Sequence, residues 1–217
     1  MELFLDTETS GLPLWREPYN HPGQPWVVQL AAILSDSERV YGSLNVLIAP
    51  LGRRIEPGTV EIHGITEEMA RDFGIPEQVA CRTLYQLMRS ADVAVCHNTE
   101  FDIARVACMF DRNDGDNRNV AALMLSKPSY CTMKSSMNLL QLPGQRKWCK
   151  DCRIEHEPGP KCPQCGTVYE YKWPKLTELY SFLFGKELVD AHDAWGDVVA
   201  TRECYYEMKR REDEPCD

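Results

Sequence analysis

The chain has 217 residues, of which 43% are hydrophobic and 26% charged, and its formal net charge is −9. This is the composition of an ordinary globular protein, which excludes wholesale disorder, and no apolar run approaches the ~20 residues needed to cross a bilayer. The acidic balance argues against a surface coated in basic residues for gripping duplex DNA. It leaves open a site built of carboxylates whose positive field comes from divalent metals. The length suits one full-sized domain with a small inserted module. Met1–Asp6 lacks the basic region of a secretory signal, so a cytoplasmic location is expected.

Taken in chain order, Glu2–Thr7 reads as a strand whose apolar residues run into acidic ones, broken by Thr9–Pro13. Trp26–Leu34 suits a buried strand, and Val40–Ile48 the next, completing an N-terminal meander. Between Pro57 and Arg89 the pattern is helical. Thr66 reads as a cap followed by Glu67 and Glu68, and Pro76 as the first turn of a helix buried along Val79, Leu84, Leu87 and Met88.

Val93–Cys96 is a short apolar strand leading through a polar turn to a helix carrying Ile103, Val106, Ala107 and Phe110. Asp111–Asn119 reads as a loop, Ser129–Met133 as a strand and Lys134–Leu140 as a short helix. Residues 145–171 turn rich in Cys, Pro, Gly and basic residues. Helical periodicity returns at Leu176–Phe184 and Ala194–Met208, before a charged tail over Arg211–Asp217. An antiparallel start followed by alternating strands and helices predicts an α/β fold with a mixed sheet flanked by helices.

Asp6 and Glu8 stand two apart on the first strand, so both side chains leave one face, at the end where α/β sheets hold ligands. Such a pair can share a hard divalent cation, although alone it arises often on solvated turns. Asp102 opens a helix, where a carboxylate also simply favours the positive helix end. His192 precedes the last helix, and Asp193 and Asp197 are neighbours at i, i+4; capping is the alternative role for His192 and Asp193.

Together these residues resemble the DnaQ-like, DEDDh-type 3′→5′ exonucleases. Asp6–Leu12 is similar to the first family motif, Ile62–Thr66 to its substrate-side loop, His97–Asp102 to the second motif and His192–Asp197 to the third. The resemblance spans nearly the whole chain apart from 145–171. Trp195-Gly196 departs from the small aliphatic residues usual there, which could alter the mouth of the site.

The resemblance implies an RNase H-like fold and a two-metal site for Mg²⁺ or Mn²⁺. Asp6, Glu8 and Asp197 would hold the first ion, Asp6 would bridge to the second, and Asp102 would bind that one directly or through water. It implies His192 as general base, which imidazole suits at neutral pH. Around the terminal nucleotide it points to Leu12 and Ile62, with His63 and Asn98 nearby. The Thr9–Leu12 turn would offer backbone N–H groups, with Gly11 allowing close approach. Ordinary core positions are the alternative for Leu12 and Ile62.

Cys149, Cys152, Cys162 and Cys165 form two Cys-x2-Cys knuckles of zinc-ribbon type, able to close one tetrahedral structural Zn²⁺ site. A redox pair is the competing idea. Domain limits are accordingly expected at 1–144 and 172–217 for the exonuclease unit and 145–171 for the ribbon. Arg146, Lys147, Lys150, Arg153, Lys161, Lys172 and Lys175 make this stretch basic, suited to holding a nucleic-acid strand; a solvated ribbon that closes a loop is the alternative. The other six cysteines read mostly as buried small hydrophobes.

The function expected is removal of nucleotides from the 3′ end of DNA, single strands preferred, in proofreading or repair, with a polymerase or other replication partner in trans. An RNA or oligoribonucleotide 3′ exonuclease and an inactive nucleic-acid-binding module are the alternatives.

Overall fold

The computed structural model describes residues 1–113, 119–143, 146–149, 151–159, 161–166, 171–189 and 193–213, with the backbone alone at 146–149, 154 and 156–159. A five-stranded sheet has β1 (Glu2–Thr9) at its centre. β2 (Val27–Ser35) pairs antiparallel with it, and β3 (Val40–Leu47) extends that side. On the other side lie β4 (Val93–Cys96) and β5 (Ser129–Cys131), both parallel. The order β3-β2-β1-β4-β5 is the mixed sheet that the sequence pattern predicts.

Three helices lie between β3 and β4: α1 (Pro57–His63), α2 (Glu67–Phe73) and α3 (Glu77–Ser90). Thr66 caps α2 as expected, its side chain accepting from the Met69 N–H. α4 (Thr99–Asn113) and α5 (Val120–Ser126) separate β4 from β5. α6 (Thr132–Ser135) and α7 (Met137–Leu140) follow as two single turns. A separate antiparallel pair, β6 (Arg146–Cys149) and β7 (Ile154–Gly159), precedes α8 (Leu176–Phe184) and α9 (Ala194–Asp213).

Alternation along β1 divides the core. Leu3 and Leu5 join Leu84 and Met88 of α3, Val106 and Met109 of α4 and Met124 of α5. Phe4 points the other way, with Ala31, Ile33 and Val95, onto Val198 and Tyr205 of α9. α8 packs Leu179 and Leu183 against Ala200 and Cys204 of α9, so α9 is covered on two sides. β2 is buried at every position, which explains its unbroken apolar run. No helix among the described residues is long and apolar enough to cross a membrane.

Several local expectations shift. Val79 is 46% exposed, and the buried stripe of α3 runs instead through Ala80, Cys81, Leu84 and Met88. Ile62 and His63 end a helix instead of lying in a loop, because Pro57 starts α1 and Gly64 stops it in a left-handed turn. Asp111–Asn113 continue α4, and α5 occupies residues from which no element was expected. The tail beyond Asp213 lies outside the described residues.

Gly74, after α2, lets the chain cross the sheet edge closely. Ile75 N–H donates to Leu47 C=O at 2.8 Å and Ala49 N–H to Ile75 C=O at 2.9 Å. A Cβ at Gly74 would stand 2.1 Å from Ala70 O and 2.7 Å from Ala49 N, both backbone atoms. Gly74→Ala is therefore expected to destabilise the fold by about 1–3 kcal/mol; a urea midpoint equal to that of the parent chain would refute the tightness of this crossing.

Candidate active site

Asp6 and Glu8 continue the Phe4 face of β1, the face covered by α9. The start of α9 fixes their partner. Asp193 caps the helix, its Oδ2 accepting from the Gly196 N–H at 3.1 Å. One turn on, Asp197 faces the strand, and single carboxylate oxygens of Asp6, Glu8 and Asp197 all lie within 4.8 Å of one another. Asp102, in the first turn of α4, is 3% exposed and accepts the Thr7 hydroxyl at 2.8 Å. Two chain neighbours on β1, Asp6 and Thr7, thus contact or face carboxylates from two different helices.

Burial and mutual repulsion dominate the electrostatics. Desolvation, then the charges of Asp197, Asp102 and Asp193, push Glu8 up to about 8. Asp6 is raised well above the ordinary carboxylate range, first by burial and then by Asp102, Asp197 and Glu8. Asp102 is raised by burial, against the lowering effect of the Thr7 hydroxyl. Oxygen donors alone, converging with excess negative charge, suit a hard divalent cation such as Mg²⁺ or Mn²⁺. His192 lies outside the described residues, whereas its neighbour Asp193 is tied down.

Gln29, which local sequence patterns did not single out, ties the start of α9 to the sheet. It is the antiparallel partner of Glu8. Its Nε2 donates to Asp193 Oδ1 at 2.8 Å and to Asn45 Oδ1 at 3.1 Å, and its Oε1 accepts the Ala194 N–H at 3.2 Å. One amide thereby fixes the helix end that carries Asp197.

The turn after β1 is equally constrained. Ser10 exchanges hydrogen bonds with Trp26 (N–H to C=O 3.0 Å; Oγ from the Trp26 N–H 3.1 Å) and its C=O accepts the Glu56 N–H at 2.8 Å. Thr9 Oγ1 donates to Gly11 C=O at 2.9 Å. The Glu56 carboxylate lies so close to Gly11 that a Cβ there would meet it at 2.6 Å. His63 braces the turn from α1: Nδ1 accepts the Ile65 N–H at 3.0 Å, leaving Nε2–H for Thr9 C=O at 3.3 Å. Burial lowers its pKa, in keeping with this neutral tautomer. Asn98 C=O accepts the N–H groups of Phe101 and Asp102 at the start of α4. Leu12 and Ile62 are 76% and 54% exposed, so neither is a core residue. His97, behind the second motif, is held by Thr132 Oγ1 and Pro174 C=O, both at 3.0 Å, and burial lowers it to about 4.

A protein-family model described as Exonuclease (RNase T) matches residues 3–156. The chain belongs to the DnaQ-like exonuclease family. It is 32% identical over 103 residues to the DNA polymerase III epsilon subunit of Buchnera aphidicola, a match covering 46% of this chain and 40% of that one. The epsilon subunit of Pasteurella multocida is 27% identical over 103 residues, covering 47% and 38%. Among solved structures, E. coli exonuclease I with a dT13 oligonucleotide superposes with a TM-score of 0.68 at 24% identity, covering 97% of this chain and 41% of that one. The zinc-bound form of the E. coli exonuclease I–ssDNA complex gives 0.67 at 25% identity with the same coverage. The chain therefore spans about two fifths of the length of these relatives. The likeness at 24% is one of fold, the RNase H-like mixed sheet.

Leu142 and Lys172 meet where the Lys172 N–H donates to the Leu142 C=O at 3.0 Å. Between them, one sulfur each of Cys152, Cys162 and Cys165 lie within 4.8 Å of one another, and Cys162 is 1% exposed. Gly166, at φ 75°, returns its N–H to Cys162 C=O at 3.0 Å, the tight turn of a knuckle. The side chain of Cys149 lies outside the described residues. Three converging thiols fit a soft-ligand metal such as zinc. The chain is expected to purify with about one zinc per molecule, lost in Cys162→Ser; metal analysis finding none in the parent chain would contradict this.

The carboxylate cluster makes stability depend on pH and metal together. Without metal, Glu8 keeps its proton to about pH 8 in the folded chain, against 4.5 in the unfolded one. Between those values the folded form binds more protons, so stability falls as pH rises. Metal-free melting temperatures should therefore drop from pH 4.5 towards 8, and added Mg²⁺ should raise them most at the alkaline end. A metal-free melting temperature that climbs across this interval is the contrary result.

Proposed function

We infer that the chain is a metal-dependent 3′→5′ exonuclease that shortens DNA, single strands preferred. The observation carrying this reading is the convergence of Asp6, Glu8 and Asp197 beside buried Asp102, at one end of the sheet. Asp6, Glu8 and Asp197 would hold one cation, and Asp102 together with Asp6 would hold a second. Two Mg²⁺ or Mn²⁺ ions at such a site supply activation of a water and neutralisation of charge on the leaving oxygen.

His192 accepts the proton from the attacking water, whose oxygen bonds to phosphorus as the bond to the 3′ oxygen breaks. The leaving 3′ oxygen takes up a proton from solvent, so the products are a nucleoside 5′-monophosphate and a strand one unit shorter with a 3′ hydroxyl. Exposed Leu12 and Ile62 pack against the terminal nucleotide, while Thr9, Gly11, His63 and Asn98 shape and brace that edge. Residues 145–171 act as a zinc-ribbon-like insertion between 1–144 and 172–217, its basic residues assisting in holding the strand.

DNA is favoured over RNA because the two E. coli exonuclease I structures compared above are complexes with single-stranded DNA. Kinship to epsilon subunits supports a place in proofreading or repair, with a polymerase as partner in trans. The test is a 5′-labelled single-stranded DNA and a matched RNA incubated with Mg²⁺. A ladder of products from the 3′ end is expected, faster on DNA, abolished in Asp6→Ala and cut at least 100-fold in His192→Ala with Mn²⁺ binding retained. Intact strands that are nevertheless bound would favour a binding module.

A further inference from the structure

The segment between the first motif and β2 carries large apolar side chains that the core does not use. Trp15 is 66% exposed, with Leu12 at 76% and Leu14 at 40%. An indole this open on an unsupported loop would be a surface accident, but here the loop is bolted down. Gln24, 7% exposed, donates from Nε2 to the carbonyls of Leu14 (3.1 Å), Glu17 (3.4 Å) and Pro18 (3.0 Å), and its Oε1 accepts the Leu14 N–H at 3.1 Å. That Oε1 also takes a hydrogen bond of 2.7 Å from Arg105 Nη1, and Arg105 is itself 3% exposed on α4.

The same helix face presents Phe101, one turn earlier at i, i+4 from Arg105. The rings of Trp15 and Phe101 lie with centroids 6.4 Å apart, tilted by 53°. Arg105 thus fixes the loop and Phe101 flanks the indole, while the next residue, Asp102, turns inward to Thr7 beside Asp6. Two aromatic rings, one widely open, therefore stand at the turn of α4 that carries Asp102, three residues along the chain from exposed Leu12.

An anchored aromatic pair with one ring exposed, beside a phosphodiester site, matches one ligand chemistry: the face of an unpaired base. We propose that Trp15, flanked by Phe101, is a stacking platform for the base preceding the terminal nucleotide of a single strand. The inference rests on the nuclease reading of the carboxylate cluster and adds a subsite to it. A base still paired within a duplex presents no free face, so the platform favours frayed or single-stranded ends.

The test uses the full chain with Ca²⁺ in place of Mg²⁺ and a single-stranded DNA carrying 2-aminopurine next to the 3′-terminal nucleotide, its length checked by gel afterwards. The parent chain is expected to quench 2-aminopurine. Trp15→Ala is expected to lose that quench and bind about tenfold more weakly, the size of one lost stacking contact, whereas Trp15→Phe retains both. Trp15→Ala with parental quench and affinity overturns the platform while leaving the nuclease reading intact. A parent chain that neither binds this strand nor shortens it with Mg²⁺ overturns both.

Discussion

Carboxylates crowded within a few ångströms of one another, and partly withdrawn from water, repel; a folded protein keeps such a group ionised only if a cation neutralises it. Asp6, Glu8 and Asp197 meet this condition, with Asp102 buried alongside. Much of the surrounding structure is intelligible as the frame holding these like charges together. They come from three separately packed elements: Asp6 and Glu8 from β1 at the centre of the sheet, Asp102 from α4 on one face and Asp197 from α9 on the other. No single element could relax to separate them without unpacking a face of the core.

The frame is reinforced where the charges are held. Gln29 spans β2, β3 and the start of α9 with one amide. Thr7 anchors Asp102, and the turn after β1 is pinned by Ser10, Trp26, Glu56 and His63. His63 and His97 are kept neutral by burial and bonded through both ring nitrogens, so they brace the backbone. The chain can thereby keep the apolar side chains of Leu12, Trp15 and Ile62 exposed without their collapsing inward.

What was legible in the sequence was the part governed by short periods. Alternation in β1, the apolar run of β2 and the capped start of α2 follow from two- and four-residue spacing, and the grouping of Asp6, Glu8 and Asp197 followed once their motifs were taken in order. The phase of α3 was misread because Val79 is apolar yet points to solvent, while Ala80 and Cys81 are small enough to pack closely. α5 is short and weakly patterned, and it forms because Ala121 and Met124 bury against the core. The bonds Gln24–Arg105 and Gln29–Asp193 join residues 81 and 164 apart, which no local pattern encodes. Trp15 gave no sign of its exposure for the same reason.

The most direct test of the central claim is calorimetric titration of Mn²⁺ into the metal-free chain at pH 7, repeated in buffers of different ionisation enthalpy. If the cluster is a cation site whose carboxylates hold protons until metal arrives, binding must displace protons, since burial and repulsion push Glu8 up to about 8 and raise Asp6 as well. The account predicts saturable Mn²⁺ binding with net proton release, lost in Asp197→Ala. Binding of Mn²⁺ without proton release, or equal binding by Asp197→Ala, would contradict it.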